Sequence, residues 1–369
     1  MQIAGRLRMA LRRRPSPVPF HLLIVWKTYF PTHLFLPRFL LEIHPIGSAL
    51  IDAQAISHRL TKVLPKLRRI YLFFFLAVSF SSLVYSAPAD WPAESHGENL
   101  AQSLAVYNAG FEASGIAYHH ELGFLIVGDD GDVANVSAVG VVGEYQFLGG
   151  DFEGITIKNG TADFAYIASE NTSAIIEISL PSLSMTGKSW PLQLAKNGGL
   201  GFEGITFVPQ SEAPVAWGQA TYDGFFVAAS QADTELRIFD IDTRESSVSS
   251  VVPLASIETG ASDLSGLHFS VNTRRLYALH DSANTLTEIN LNGVALAVYT
   301  TPESGAEEGV VLVEPPNSEQ TYIVLTDDAG PIATRYHHFE SIYTEETPGS
   351  ELSAAVLWLL IRASQPPAD

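Results

Sequence analysis

A chain of 369 residues with 46% hydrophobic and 17% charged residues is able to fill a globular core, and this composition excludes a disordered chain. It has no cysteine, which removes disulfides, thiolate metal sites and cysteine nucleophiles. Charge is divided sharply: residues 1–86 carry 12 Lys/Arg against Glu42 and Asp52, a net of +10, whereas the remaining 283 carry 9 against 38, a net of −29. A body this acidic repels nucleic acid and anionic lipid headgroups and suits cations as partners.

The chain opens on residues 1–62, where Arg12-Arg13-Arg14-Pro15 and Pro31, Pro37 and Pro45 interrupt any apolar periodicity. No methionine lies between Met9 and Met185, so this stretch reads as a mis-annotated extension, with translation starting near Val63 through a non-AUG codon. A first apolar segment over 19–41 is the alternative, but Lys27, Arg38 and the prolines make it a poor span. Residues 63–86 then run basic, apolar and small: Arg68-Arg69, the apolar stretch from Ile70, and Val84-Tyr85-Ser86 before Ala87. That is the order of a secretory signal. Left uncut, residues 70–86 are at the lower limit of length for an inner-membrane anchor.

Beyond Ala87 one phrase recurs, an acidic or apolar lead followed by Glu or Ser, then Gly, then a β-branched residue or leucine. It appears as Glu112-Ala-Ser-Gly-Ile116, Asp151-Phe-Glu-Gly-Ile155, Gly201-Phe-Glu-Gly-Ile205, Asp263-Leu-Ser-Gly-Leu267 and Glu307-Glu-Gly-Val310. Its glycines are 39, 50, 62 and 43 residues apart, spacings that belong to propeller blades. After each phrase comes a short apolar strand with a polar end, as in Phe124–Asp130 and Leu276–Asp281. A third, alternating strand follows, as in Ala174–Leu180, Leu236–Ile241 and Leu286–Leu291, the last ending on the hairpin signal Asn292-Gly293. The pattern predicts an all-β propeller of five blades over residues 95–345, with three clear strands per blade, a ragged fourth, and a tail at 346–369. In this reading the repeated glycine lets inner strands crowd around the central channel. The apolar run Ala354–Ile361 in the tail is too short to cross a membrane.

These phrases, in this order, resemble the SdiA-regulated (YjiK-like) family over about residues 108–330. The closest stretches are Asp263–Phe269, Arg275–Ser282 and Leu286–Gly293. The resemblance implies a five-bladed propeller behind a membrane-targeting segment, with calcium bound at the propeller. The final blade departs from the pattern at Glu307-Glu308-Gly309 and Thr326-Asp327-Asp328.

Aligned on the glycine, the preceding position reads Ser114, Glu153, Glu203, Ser265 and Glu308, and the acids three positions before it are Glu112, Asp151 and Asp263. Oxygen ligands converging from several blades suit calcium, and crowded carboxylates repel unless a cation or protons neutralise them. Glu153, Glu203 and Glu308 are therefore the first metal candidates, with Asp263 and Glu112 next. The other reading of these acids is hydrogen bonding to neighbouring backbone amides. The strand-end acids Asp129, Glu170, Asp281 and Asp327 form a second ring. Asp129-Asp130-Gly131-Asp132 is only superficially like a calcium loop, because it lacks the closing glutamate.

His119-His120 falls in an expected exposed turn, and His280-Asp281 is the one adjacent base–acid pair on a strand end. No nucleophile elbow, zinc helix motif or phosphate-cradling loop is present. The expectation is an exported, non-enzymatic calcium-binding propeller that engages a small ligand or a periplasmic protein. Its place would be the periplasm of a Gram-negative bacterium or the periplasmic face of the inner membrane. The alternative is a metal-dependent hydrolase of the phytase-like, esterase-like or lactonase-like propeller type.

Overall fold

Short runs of β-branched and aromatic residues, each ended by a glycine or Asx turn, become strands throughout the body. The computed structural model describes residues 2–10, 21–29, 38–44, 88–194, 200–246, 249–302, 305–315 and 320–342. The chain separates into two units, Met1–Tyr85 and Ser86–Asp369. In the first, β1 (Gln2–Ala10), β2 (His21–Tyr29) and β3 (Arg38–His44) pair as an antiparallel sheet in that order. The signal segment expected at 70–86 and the tail at 346–369 lie outside the described residues. Among the described residues no helix is long and apolar enough to cross a membrane.

The second unit is a five-bladed β-propeller. It opens on β4 (Glu98–Asn99). The first blade is β5 (Ala113–His119), β6 (Gly123–Gly128), β7 (Asp132–Val136) and β8 (Val142–Phe147). The second is β9 (Phe152–Ile157), β10 (Phe164–Ser169), β11 (Ala174–Ser179) and β12 (Ser184–Pro191). The third is β13 (Phe202–Pro209), β14 (Gly224–Ser230), β15 (Glu235–Asp240) and β16 (Ala255–Glu258). The fourth is β17 (Leu264–Ser270), β18 (Arg275–His280), β19 (Thr285–Asn290) and β20 (Ala295–Thr300). The fifth takes β21 (Glu307–Val313), β22 (Tyr322–Asp327) and β23 (Ile332–His337), with β4 completing it as the outer strand. A fourth, outer strand is present in each of the first four blades and is irregular, with register shifts at β8, β12 and β20 and only four residues in β16. In the fifth it is lent by the other end of the chain, where Asn99 pairs with Thr334.

Five apolar clusters hold the ring together, each filling the interface between two neighbouring blades. Phe202, Phe207 and Phe226 of the third blade pack on Tyr166 and Trp190 of the second, and Val310 and Leu312 of the fifth pack on Tyr277 and Leu279 of the fourth. Burying one such side chain contributes about 1.5–3 kcal/mol. The inner strands β5, β9, β13, β17 and β21 neighbour one another around the axis.

The repeated glycines lie where these inner strands meet. A Cβ on Gly115 would stand 2.6 Å from the Gly154 Cα, one on Gly154 2.6 Å from the Glu203 carbonyl, and one on Gly266 2.5 Å from the Glu308 carbonyl. Gly309 closes the circle against the Ser114 carbonyl at 2.8 Å. Backbone cannot yield here without shifting a blade. Gly154→Ala is therefore expected to destabilise the propeller by about 1–3 kcal/mol in urea unfolding, whereas Gly110→Ala, whose nearest neighbour would be 3.6 Å away, changes little.

The turn after β5 corrects one expectation. His119 is buried, and its Nδ1 accepts the backbone N–H groups of Glu121 and Leu122, each at 3.2 Å. The imidazole holds the turn together from inside instead of facing solvent.

Candidate cation site at the channel mouth

Each inner strand carries a β-bulge at the repeated phrase. The ladder register shifts between Ala113 and Gly115, between Phe202 and Ile205, between Leu264 and Leu267, and between Glu307 and Val310, and it shifts likewise opposite Phe152 and Gly154. A bulge takes one residue out of the up–down alternation and re-aims its side chain. In the five blades that residue is Ser114, Glu153, Glu203, Ser265 or Glu308.

The three glutamates feel one another across the axis. Glu153 is pushed up to about 11, first by burial and then by the negative charge of Glu203. Glu308 is raised to about 9 by burial and then by Glu203 and Asp281. Glu203, only 5% exposed, rises to about 8 through burial and the charge of Glu170. The serines at the other two positions are used structurally: Ser265 Oγ donates to the Glu307 carbonyl at 2.8 Å, and the Ser114 carbonyl accepts from Thr326 Oγ1 at 3.2 Å.

The tightest gathering of acids joins two blades. One carboxylate oxygen from each of Asp129, Asp151 and Glu153 lies within 4.8 Å of the others, all three half-buried. Glycines bring these residues together. Gly131, at φ +93°, has room for no Cβ because Gly149 and Gly150 pack on it, the nearest atom standing 2.4 Å away. Leu148 N–H donates to the Gly131 carbonyl at 2.9 Å, and Phe152 N–H donates to the Asp129 carbonyl at 3.3 Å. The turn after β6 is thereby pinned to the lead of β9. The carboxyl of Asp129 is raised by burial and by its neighbour Asp151.

Of the five expected ligands, Glu153 belongs to this trio, and Asp129 and Asp151 complete it. Glu203 and Glu308 face the same mouth without joining the trio. Asp263, at φ +62°, caps a turn: it accepts the Ser282 N–H at 3.0 Å and the Ser282 hydroxyl. Glu112 meets the site through its backbone carbonyl, which accepts the Asp129 N–H at 3.3 Å, and through its charge, which raises Asp129 and Asp328. The strand-end acids do crowd the same mouth, since Asp281 is raised by burial and then by Asp263, Asp328 and Asp327. The signals for Asp129 and Asp151 were the acidic loop Asp129–Asp132 and the acid three positions before Gly154, read separately.

The donor set fits a hard cation. It consists wholly of carboxylate oxygens, half-buried and crowded, and burial followed by neighbouring carboxylates raises Asp129 and Glu153. Calcium takes six to eight oxygens, so waters and carbonyls would supply the rest. Zinc and copper favour nitrogen and sulfur donors, which the trio lacks.

Of the two remaining histidines of interest, His268 is half-buried and His280 fully buried. His268 is driven down to about 4 by burial. His280, fully buried and lowered by desolvation, donates from Nδ1 to the Ser262 carbonyl at 3.1 Å.

A family model described as SdiA-regulated matches residues 101–308, more than half of the chain, ending on the inner strand of the fifth blade. The search of curated proteins found no match. Among solved structures, the WD40 β-propeller domain of Doa1 is 12% identical, with 62% of each chain covered and a TM-score of 0.36.

Proposed function

The chain belongs to the SdiA-regulated family, and from that premise we propose that its propeller is an exported, non-enzymatic binding module that holds calcium through Asp129, Asp151 and Glu153. One observation carries this reading: three carboxylates with oxygens within 4.8 Å of one another, two of them raised by burial and mutual repulsion. A divalent cation would relieve that repulsion and lock the first blade onto the second. A small ligand or a periplasmic protein would then meet a mouth whose charge the cation sets. The signal-like order of residues 63–86 supports export, with the propeller in the periplasm or at the inner-membrane face. A hydrolytic propeller would want a histidine beside the cation, and the trio contains none.

The test is thermal unfolding of the full chain in calcium, in magnesium and in chelator. Calcium at a hundred times its dissociation constant is expected to stabilise by about 2.7 kcal/mol. Magnesium does less, because it demands near-ideal octahedral geometry and parts from its waters reluctantly. Asp151→Asn and Glu153→Gln each abolish the calcium shift while keeping the fold. Equal melting in calcium and chelator would sink the proposal.

A further inference from the structure

The opposite ends of the blade strands carry a groove of different character. Lys158 follows β9 five residues after Glu153, which at about 3.3 Å per residue puts it roughly 16 Å along the strand from the acids. It lines a cavity of about 430 Å³ together with Phe164, Tyr166, Glu177, Lys188 and Arg244. Three cations thus meet in a body with very few. Each of the three is paired with a carboxylate, as are the other described ones, Arg237, Arg274, Arg275 and Arg335, elsewhere.

Thr243 gathers the two lysines. Lys158 Nζ donates to Thr243 Oγ1 at 2.7 Å and to Asp223 at 2.9 Å, while Lys188 Nζ donates to the Thr243 carbonyl at 3.0 Å and pairs with Glu177 at 3.1 Å. An ammonium has three N–H donors, so each lysine keeps one. Arg244, next along the chain, is fixed by Asp242 through Nε and Nη2 and lies over the Tyr222 ring at 4.4 Å. Its Nη1 donors are not engaged by Asp242. Lys158 Nζ lies 5.7 Å from the centre of the Tyr166 ring and 5.6 Å from that of Phe207, and Lys188 Nζ lies 5.6 Å from that of Phe164.

The geometry points to a second binding site, on the face away from the cation trio, that takes a small organic acid through its carboxylate. The spare donors around Thr243 hold the carboxylate, and Phe164 and Tyr166 wall its carbon body. A phosphate dianion suits the groove less well. Glu177 is buried in it, with Asp163 in its lining and Asp223 beside it, so a dianion meets about twice the repulsion that a single negative charge meets.

The probes are benzoate and inorganic phosphate, titrated calorimetrically into the full chain at constant ionic strength, with chloride as the blank. Benzoate is expected to bind saturably and more tightly than phosphate. Lys158→Met is expected to weaken it about tenfold, the loss of one hydrogen bond to a charge. Arg244→Gln, at a side chain 72% exposed and safe for folding, is expected to weaken it about threefold. Both variants keep the calcium-dependent melting shift of the parent, because the sites lie on opposite faces. Benzoate heats equal to those of chloride, tighter binding of phosphate, or an Arg244→Gln variant that titrates like the parent would each overturn the assignment.

Discussion

Replacing Glu288 with alanine is expected to cost about 3–5 kcal/mol, the penalty of leaving a buried cation without its partner. For a body of this size that is a fall in melting temperature of roughly 10 °C. Glu288 has no exposed surface and lies inside the fourth blade on β19, with the Arg275 guanidinium of β18 against its Oε1. Its Oε2 accepts the Tyr299 hydroxyl at 2.9 Å and Ser341 Oγ at 2.7 Å. Ser341 lies just beyond the fifth blade, and Ile342 N–H donates to the Tyr299 hydroxyl at 3.2 Å. One carboxylate therefore fastens the end of the propeller to the blade before it. The double variant Arg275→Met, Glu288→Leu removes both charges and is expected to recover most of the loss in urea unfolding. A double variant as unstable as Glu288→Ala would show that the network acts through shape rather than through charge pairing.

The blades were legible in the sequence because one steric demand repeats five times. Inner strands that approach within van der Waals contact need glycine at the contact, and a β-branched residue or leucine beside it fills the next interface. The hairpin at Asn292-Gly293 was equally plain: Gly293 adopts φ +85°, and Asn290 Oδ1 accepts from Asn292 and Val294. The closing strand β4 was not legible, since two residues show no periodicity. What fixes it is Asn99, whose Oδ1 accepts the N–H groups of Ala101 and Ala333 and whose amide donates to the Pro331 carbonyl. The cation trio was half legible. Glu153 follows from the glycine alignment, but Asp129 and Asp151 meet it only because Gly131 packs on Gly149 and Gly150. The oddity of the fifth blade was visible and has a counterpart in space. Glu307 stands where the other blades carry Ala113, Phe152, Phe202 and Leu264, and it lies directly opposite the buried Asp327. The basic groove could not be read ahead, because Lys158, Lys188 and Arg244 come together only once two blades are side by side.

In chelator, the melting temperature is expected to fall as the pH rises from 5 to 8. An unfolded glutamate titrates near 4.3, whereas in the fold Glu203 holds its proton to about 8, Glu308 to about 9 and Glu153 to about 11. Between these limits the unfolded chain has shed protons that the folded chain keeps, so stability falls with pH. The fall is at most about 1.4 kcal/mol per pH unit for each such group. It flattens above pH 8, where folded Glu203 ionises too, and it is gentler wherever neighbours share a proton. On the proposed reading calcium would reverse the balance, because it would bind the ionised carboxylates and expel their protons. Its stabilising effect is therefore expected to be larger at pH 8 than at pH 5. Glu203→Gln separates the two contributions, since this residue stands outside the trio. Without calcium it is expected to raise the melting temperature much more at pH 8 than at pH 5, while retaining the calcium shift. A melting temperature in chelator that stays level or climbs from pH 5 to 8 would mean that the mouth is already neutralised by something other than protons.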